Sequence, residues 1–214
     1  MHSRLLLTLA ATFALAQSAW AVDGEILINQ SIVMAAGGFP YQITQTGSYK
    51  LSGNLVVTTG VGGIEIIAQN VTVDLNGFTI SSNVTTGQSV GIANANNGTT
   101  VRNGTISGFN TAVGLGGTSN IIEEIKVVGS GTGFSLSNAV VRRNALSTTT
   151  GVGIVCVQCV ITENFISETP GLGLQIGASL YGSNIILATV PVAGFIGAGP
   201  NVSQNNNSCN GQSC

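Results

Sequence analysis

The sequence predicts an all-β fold, a single-stranded parallel β-helix of about seven coils that stack on one another. Composition gives the first indication, because 43% of the 214 residues are hydrophobic while 5% are aromatic and 7% are charged. Ile, Val, Leu and Ala provide most of that hydrophobic share, and they suit short strands around a narrow core. Two internal repeats with a common period are the second and third indications.

The first repeat is a series of asparagines. Asn144, Asn164 and Asn184 recur at an interval of 20 residues, and an apolar residue follows each of them two positions later. Asn suits tight turns, and its side-chain amide can hydrogen-bond to an Asn in the next coil. We therefore expect these three side chains to lie above one another. The apolar residues of this series are Ile80, Ile106, Val127, Leu146, Ile166 and Ile186.

The second repeat is a series of glycines, each followed by apolar residues, with the same period. Between the glycines, segments such as residues 71–75 alternate apolar and polar side chains, which is the period of a strand. Residues 43–199 are therefore expected to form the β-helix, in which each coil satisfies its backbone hydrogen bonds through its neighbours. The series comprises Gly63, Gly91, Ala112, Gly133, the segment 151–154, Gly173 and Gly194.

Residues 1–21 predict a secretory signal peptide. Arg4 supplies the positive start, an apolar stretch follows, and Ala-Trp-Ala at residues 19–21 forms a cleavage site. The apolar stretch is too short to span a bilayer, so we expect a mature chain from Val22 that is secreted, to the periplasm or outside the cell. Cleavage removes His2, the only histidine, which excludes Ser-His and Cys-His catalysis from the mature chain.

Both ends of the β-helix need a cover, because they expose unpaired strands. We expect residues 22–42 to cap the first coil, since Ile26, Ile32 and Val33 recur near helical spacing. Residues 200–214 are rich in Asn, Ser and Gly, and we expect them to form an irregular tail.

The mature chain keeps four cysteines in two close pairs. Export favours disulfides, and we expect Cys209 and Cys214 to close a small loop in the tail. Cys156 and Cys159 interrupt a strand repeat, whereas a redox motif of this spacing belongs at a helix N-terminus. We therefore expect Cys159 to be a small buried residue, and the oxidation state of this pair stays open.

Three segments carry a family resemblance. They are ITQTGSYKLSGNL at residues 43–55, NVTVDLNGFTI at 70–80 and VRNGTI at 101–106. Together they resemble the opening coils of secreted bacterial right-handed parallel β-helix proteins of the pectate-lyase-like superfamily. The resemblance implies right-handed winding. It implies no single activity, because the superfamily includes polysaccharide lyases, glycoside hydrolases, esterases and adhesins.

Charged residues fall into two columns when the coils are aligned on the Asn series, and the signs alternate along both. Two interpretations follow. The first is surface ion pairs worth about 0–1 kcal/mol each. The second is a polysaccharide-binding site on the side of the rod, formed by Arg102, Glu123, Glu124, Arg142, Arg143 and Glu163. One column reads Asn76, Arg102, Glu123, Arg142, Thr162, and the next reads Gly77, Asn103, Glu124, Arg143, Glu163, Ser183.

An enzyme is the alternative to a binding module. A lyase or glycosidase would use Glu123, Glu124 and Glu163 with a neighbouring Arg, yet Glu124 and Glu163 would be about 10 Å apart, at or beyond the upper end of inverting geometry. Related hydrolases and lyases carry Asp clusters, which this chain lacks; we expect Asp74 to be a solvent-facing or turn-bonding carboxylate. The sequence therefore favours a structural or surface-binding module with no catalytic residues, metal or cofactor.

An apolar column is expected on the outside of the rod. Two explanations stay open: either a terminal segment or a second molecule covers it, or a one-residue slip in register turns it inward. The column consists of Ile121, Val140, Val160 and Leu180.

The formal net charge of −2 gives no electrostatic basis for binding nucleic acid. The expected partners are therefore a cell-surface glycan or a second copy of the chain.

Overall fold

The chain folds into a parallel β-solenoid of about eight turns, described by a computed structural model for residues 24–83, 89–147, 150–188 and 195–213. The all-β prediction is confirmed, with about one turn more than the sequence period suggested. The short α1 (Gln30–Ala35) is the only helix in the described ranges. The predicted signal peptide, residues 1–21, lies outside them.

Each turn contributes strands to three parallel faces. Face 1 is an eight-stranded sheet. Faces 2 and 3 belong to one 16-stranded sheet, because β9 (Thr100–Ser107) and β11 (Asn120–Val128) continue around the corner between them. The first part of β11 pairs with a strand of face 2 and its last part with a strand of face 3.

The strands are numbered in chain order. Face 1 contains β2 (Tyr41–Ile43), β5 (Ile64–Ile66), β8 (Val90–Asn94), β10 (Thr111–Leu115), β12 (Thr132–Ser137), β15 (Ile154–Val157), β18 (Leu174–Gly177) and β21 (Phe195–Ala198). Face 2 also contains β1 (Glu25–Ile28), β3 (Gly47–Leu51), β6 (Val71–Asp74), β13 (Ala139–Arg142), β16 (Val160–Thr162), β19 (Leu180–Gly182) and β22 (Val202–Ser203). Face 3 also contains β4 (Leu55–Val57), β7 (Thr79–Ser82), β14 (Ala145–Ser147), β17 (Phe165–Thr169), β20 (Ile185–Ala188), β23 (Ser208–Cys209) and β24 (Gln212–Ser213).

The corner between faces 2 and 3 has a left-handed backbone residue in five successive coils, with φ between 55° and 59°. A side chain with a Cβ costs about 1 kcal/mol or more in that conformation, so neighbouring contacts must hold the corner. In three of these coils the next residue is an inward-facing Asn. The left-handed residues are Asn103, Glu124, Arg143, Glu163 and Ser183.

The Asn side chains stack along the inside of this corner, as the sequence predicts. Asn144 Nδ2 donates to Asn164 Oδ1 at 2.9 Å, and the same contact joins Asn164 to Asn184 at 3.0 Å. Each Oδ1 also accepts the backbone N–H of the preceding Asn, at 3.0–3.1 Å. All three residues are buried. The stack therefore satisfies polar groups of the corner that water cannot reach.

The stack continues into the segment that we expected to be an irregular tail. Asn184 Nδ2 donates to Asn207 Oδ1 at 3.0 Å. Before Asn207, β22 adds a strand to face 2, and after it β23 adds a strand to face 3. β24 then folds back antiparallel on β23. The regular coil therefore extends to Cys209, and the final hairpin covers the end of face 3.

The N-terminal cap differs in detail from the expected one. Residues 25–28 form a strand that pairs with β3, so they belong to the first coil. In α1, Val33 is fully buried, whereas Ile32 remains 38% exposed. Gln30 binds both the N–H and the C=O of Val56, at 2.9 and 3.3 Å. This side chain takes the place of a strand at the open edge of face 3.

One continuous hydrophobic core runs through the solenoid. Close approach of successive coils explains several glycines of the series: a Cβ on Gly91 would lie 2.6 Å from the Ala112 carbonyl oxygen, and one on Gly153 would lie 2.6 Å from that of Gly173. Burial raises the pKa of Tyr49, whose hydroxyl donates to the Gln45 carbonyl at 2.9 Å.

Cys156 and Cys159 form a disulfide with a Cα–Cα distance of 6.0 Å. Both residues are buried, and Cys159 lies in the expected column with Ala139 and Ser179, since the residues directly after them pair in register. The Cys159 backbone N–H donates to Ser179 Oγ at 3.0 Å. The predicted Cys209–Cys214 bridge stays a prediction, since Cys214 lies outside the described residues.

Replacing Asn164 tests the stack. Asn164→Ala leaves the backbone N–H of Asn144 and the carbonyls of Val141 and Thr162 without this side chain. Because these groups are buried, we expect a loss of about 3 kcal/mol in the free energy of unfolding, measured by denaturant titration. Asn206→Ala is the matched control: its amide also bonds a neighbouring coil, the preceding one, through Ser183, but it is exposed and the change should cost under about 1 kcal/mol. Equal losses would contradict the role of the stack.

Candidate functional site

The charged residues lie at the corner between faces 2 and 3. The first predicted column is confirmed from Arg102 onward, since Arg102 pairs in register with Glu123, and Glu123 with Arg142. Its first member is Asp74 instead of Asn76. The corner after β6 is longer: Asp74 pairs with Arg102 and Thr79 with Thr105, so four intervening residues stand opposite two.

Glu123 is the centre of the ion pairs. Arg142 Nε donates to Glu123 Oε2 at 2.8 Å, and Arg143 Nη2 donates to the same oxygen at 3.0 Å. Arg143 Nε also donates to Glu124 Oε1 at 3.3 Å. The Glu123 side chain is only 15% exposed, whereas that of Glu124 is 54% exposed. Glu123 is therefore a bound carboxylate between two guanidinium groups.

Asp74 closes the long corner. Its Oδ1 accepts the Asn76 backbone N–H at 2.7 Å and Asn103 Nδ2 at 3.1 Å, while Oδ2 accepts Arg102 Nε at 3.1 Å. The expectation of a turn-bonding carboxylate is confirmed. The solvent-facing alternative is wrong, because Asp74 is 7% exposed.

The alternating ladder extends further toward the N-terminus than the sequence analysis placed it. Lys50 pairs in register with Asp74, and its Nζ lies 3.2 Å from Glu25 Oε2. The sequence analysis missed this extension, although Lys50 lies one coil before Asp74 and carries the opposite charge. The ladder along face 2 therefore reads Lys50, Asp74, Arg102, Glu123 and Arg142.

Glu163 stands apart from the other acids of the site. It occupies the left-handed corner position above Arg143 and is exposed. Within the described residues it makes no ion pair, because the Arg143 guanidinium turns toward Glu123 and Glu124. The predicted ladder Glu124–Arg143–Glu163 is thus an ion pair on one side of Arg143 only.

A shallow depression of about 340 Å³ lies on face 1, over the small residues Ala93 and Gly114. Among the described residues that line it, the one acid is Glu65, which accepts a hydrogen bond from Gln42 Nε2 at 3.0 Å. Across the described ranges, no three His, Cys, Asp or Glu side chains are grouped so that they could hold a metal ion.

The apolar column faces outward, so the expected register holds and the slipped alternative is wrong. Ile121 pairs with Val140, Val140 with Val160, and Val160 with Leu180. Val202 extends the column by one coil and is 57% exposed. These five residues form an apolar stripe on face 2, directly beside the charge ladder.

Comparisons with known proteins add no assignment. A scan against models of protein families, a search of curated proteins and a search of solved structures each found no match. Among the described residues, no helix has the length and apolar character to cross a membrane.

The structural role of Asp74 can be measured. Asp74→Asn keeps the size of the side chain but weakens the bonds from Arg102 and Asn103, so we expect the free energy of unfolding to fall by about 2 kcal/mol. Glu124→Gln is the control at an exposed ion pair and should change it by less than about 0.5 kcal/mol. Thermal and urea unfolding of both variants check this. Similar losses for the two would contradict the difference in burial.

Proposed function

We propose that this chain is an exported β-solenoid that works as a structural or surface-binding module, without intact catalytic machinery. The observation that carries the proposal is the use of its acids. Asp74 and Glu123 are held by arginines in half-buried to buried positions, and Glu124 shares Arg143. Their geometry matches the ion-pair interpretation of the charged columns.

Hydrolysis of a glycosidic bond by the usual mechanism needs two carboxyl groups, one as acid and one as base or nucleophile. In this site Glu163 is exposed and makes no ion pair with any residue that the structure describes, while Glu123 is bound to Arg142 and Arg143. Glu123 Oε2 already accepts hydrogen bonds from Arg142 and Arg143, so the ion pairs occupy the oxygen that a catalytic acid or base would need. For this reason a polysaccharide lyase or glycoside hydrolase of the pectate-lyase-like superfamily is the second candidate, after the binding module.

Export is part of the proposal. The Cys156–Cys159 disulfide supports an oxidising compartment, and the leader-like residues 1–21 point the same way. The motifs at residues 43–55 and 70–80 support a place among the secreted bacterial right-handed β-helix proteins. The periplasm and the cell exterior are both compatible with these features.

The proposed ligand is an acidic cell-surface glycan. Three arginines lie along the corner between faces 2 and 3, namely Arg102, Arg142 and Arg143. Each of these side chains is 42% exposed, so the N–H groups that are not used in ion pairs can bind sugar carboxylates. Phe165 follows the same corner onto face 3 and is 42% exposed, which offers an apolar ring for a sugar face.

A second copy of the chain is the other proposed partner, favoured by the apolar stripe of face 2. Its five coils span about 24 Å at roughly 4.8 Å per coil. A strand of about four residues is about 13 Å long, so the stripe covers about 300 Å² per partner. This area is well below the roughly 800 Å² per partner of a standard interface. Self-association through the stripe alone would therefore be weak.

The test uses purified protein from Val22 to Cys214 on a glycan array and in a reducing-sugar assay, with and without Ca²⁺. We expect binding to acidic glycans without release of reducing sugar, and at least a fivefold weaker signal for Arg143→Ala. Lys126→Ala is the matched control, because it removes a basic residue of face 3 that lies outside the ladder.

Two results would overturn the proposal. Sugar release by the purified protein that disappears in Glu163→Gln would establish the enzyme alternative. A signal on all glycans that Arg143→Ala and Lys126→Ala reduce equally would show general charge attraction instead of a site.

A further inference from the structure

The chain contains four Asn-Gly pairs, the dipeptide most open to attack on its own side chain. The backbone nitrogen of the glycine can attack Cγ of the Asn, because glycine has no Cβ to block the approach. A bond forms between this nitrogen and Cγ, and ammonia leaves. Water then opens the cyclic imide to Asp or isoAsp, so water is the only co-reactant. The pairs are Asn76–Gly77, Asn97–Gly98, Asn103–Gly104 and Asn210–Gly211.

Two of these pairs are held at both reacting groups. Asn76 Nδ2 donates to the Leu51 carbonyl at 3.1 Å, and the Gly77 nitrogen donates to the Asn103 carbonyl at 2.8 Å. Asn97 Oδ1 accepts the Thr118 N–H at 2.8 Å, and the Gly98 nitrogen donates to the Thr118 carbonyl at 2.9 Å. The bonds to neighbouring coils must break before Cγ and nitrogen can meet.

The third pair, Asn103–Gly104, is held by its side chain and by packing. Asn103 Nδ2 donates to Asp74 Oδ1 at 3.1 Å. Gly104 lies within β9 against the previous coil, where a Cβ would meet the Phe78 carbonyl oxygen at 2.7 Å. Rotation of this peptide therefore requires the two coils to separate.

Asn210–Gly211 forms the tip of the hairpin between β23 and β24, and both residues are exposed. Within the described residues, neither the Asn210 amide nor the Gly211 nitrogen makes a hydrogen bond; only the Asn210 backbone N–H does, to the Ile186 carbonyl at 2.8 Å. The φ angles of Asn210 and Gly211, 50° and 80°, nearly equal those of Asn76 and Gly77, 51° and 76°. The two pairs therefore differ in restraint and exposure and not in φ.

We infer that Asn210 is a site of spontaneous deamidation at the C-terminal cap, a modification that the folded chain suppresses at its other Asn-Gly pairs. The reaction adds a negative charge to the hairpin tip. In the isoAsp product it also inserts a methylene into the main chain of the turn. This turn lies directly after the coil in which Asn207 ends the Asn stack, so the product alters the cover of face 3.

The experiment incubates the folded mature protein at mildly alkaline pH and follows each Asn-Gly peptide by mass spectrometry after digestion in acid. Labelling by an isoaspartyl methyltransferase identifies the isoAsp product. We expect Asn210 to convert at least about tenfold faster than Asn76, Asn97 or Asn103, because those sites need local opening. In urea-unfolded protein, the four rates should come within about threefold of one another, since the restraints are gone.

Two variants serve as controls. Asn210→Gln lengthens the side chain and should abolish conversion at this position while the other three sites keep their rates. Asn76→Gln should leave the rate at Asn210 unchanged. Conversion of Asn76 or Asn103 in the folded protein as fast as Asn210 would overturn the inference, and so would an Asn210 that converts only after unfolding.

Discussion

The buried stack of asparagine amides is the interaction on which the solenoid depends. A corner that is left-handed at one residue and buried at the next leaves backbone groups without water. Asn is the residue that can close this gap, because its amide donates to one coil and accepts from another. Each Asn from 144 to 184 donates to its successor and to a carbonyl of the previous coil. The stack thereby sets which residues become vertical neighbours.

The charge ladder follows from that register. Once a repeat of about 20 residues is imposed, residues of one column lie about 5 Å apart, and like charges there would repel. The observed order of Lys50, Asp74, Arg102, Glu123 and Arg142 avoids this conflict. Arg143, at the corner, donates a second guanidinium hydrogen bond to Glu123. The same arrangement pairs these acids with arginines and leaves guanidinium groups partly exposed on the surface, which is the basis of the proposal of a binding module.

The sequence was informative where the chain is periodic and less so where it is not. The Asn interval predicted the stack, and the alignment on it placed Arg102, Glu123 and Arg142 correctly. The longer corner after Asp74 broke that alignment, because extra residues in a turn leave no periodic mark. Asn207 was missed for the same reason, since it follows Asn184 by 23 residues instead of 20. The disulfide of Cys156 and Cys159 depends on a turn conformation that spacing alone does not fix.

Solution NMR of the Asn side-chain amides tests the central claim most directly. If the stack holds the coils in register, the Nδ2 protons of Asn164 exchange slowly with solvent and show nuclear Overhauser contacts to both Asn144 and Asn184. The exposed Asn206 amide should exchange quickly in the same sample. Fast exchange at Asn164, or contacts from its amide to residues outside the Asn column, would contradict the account.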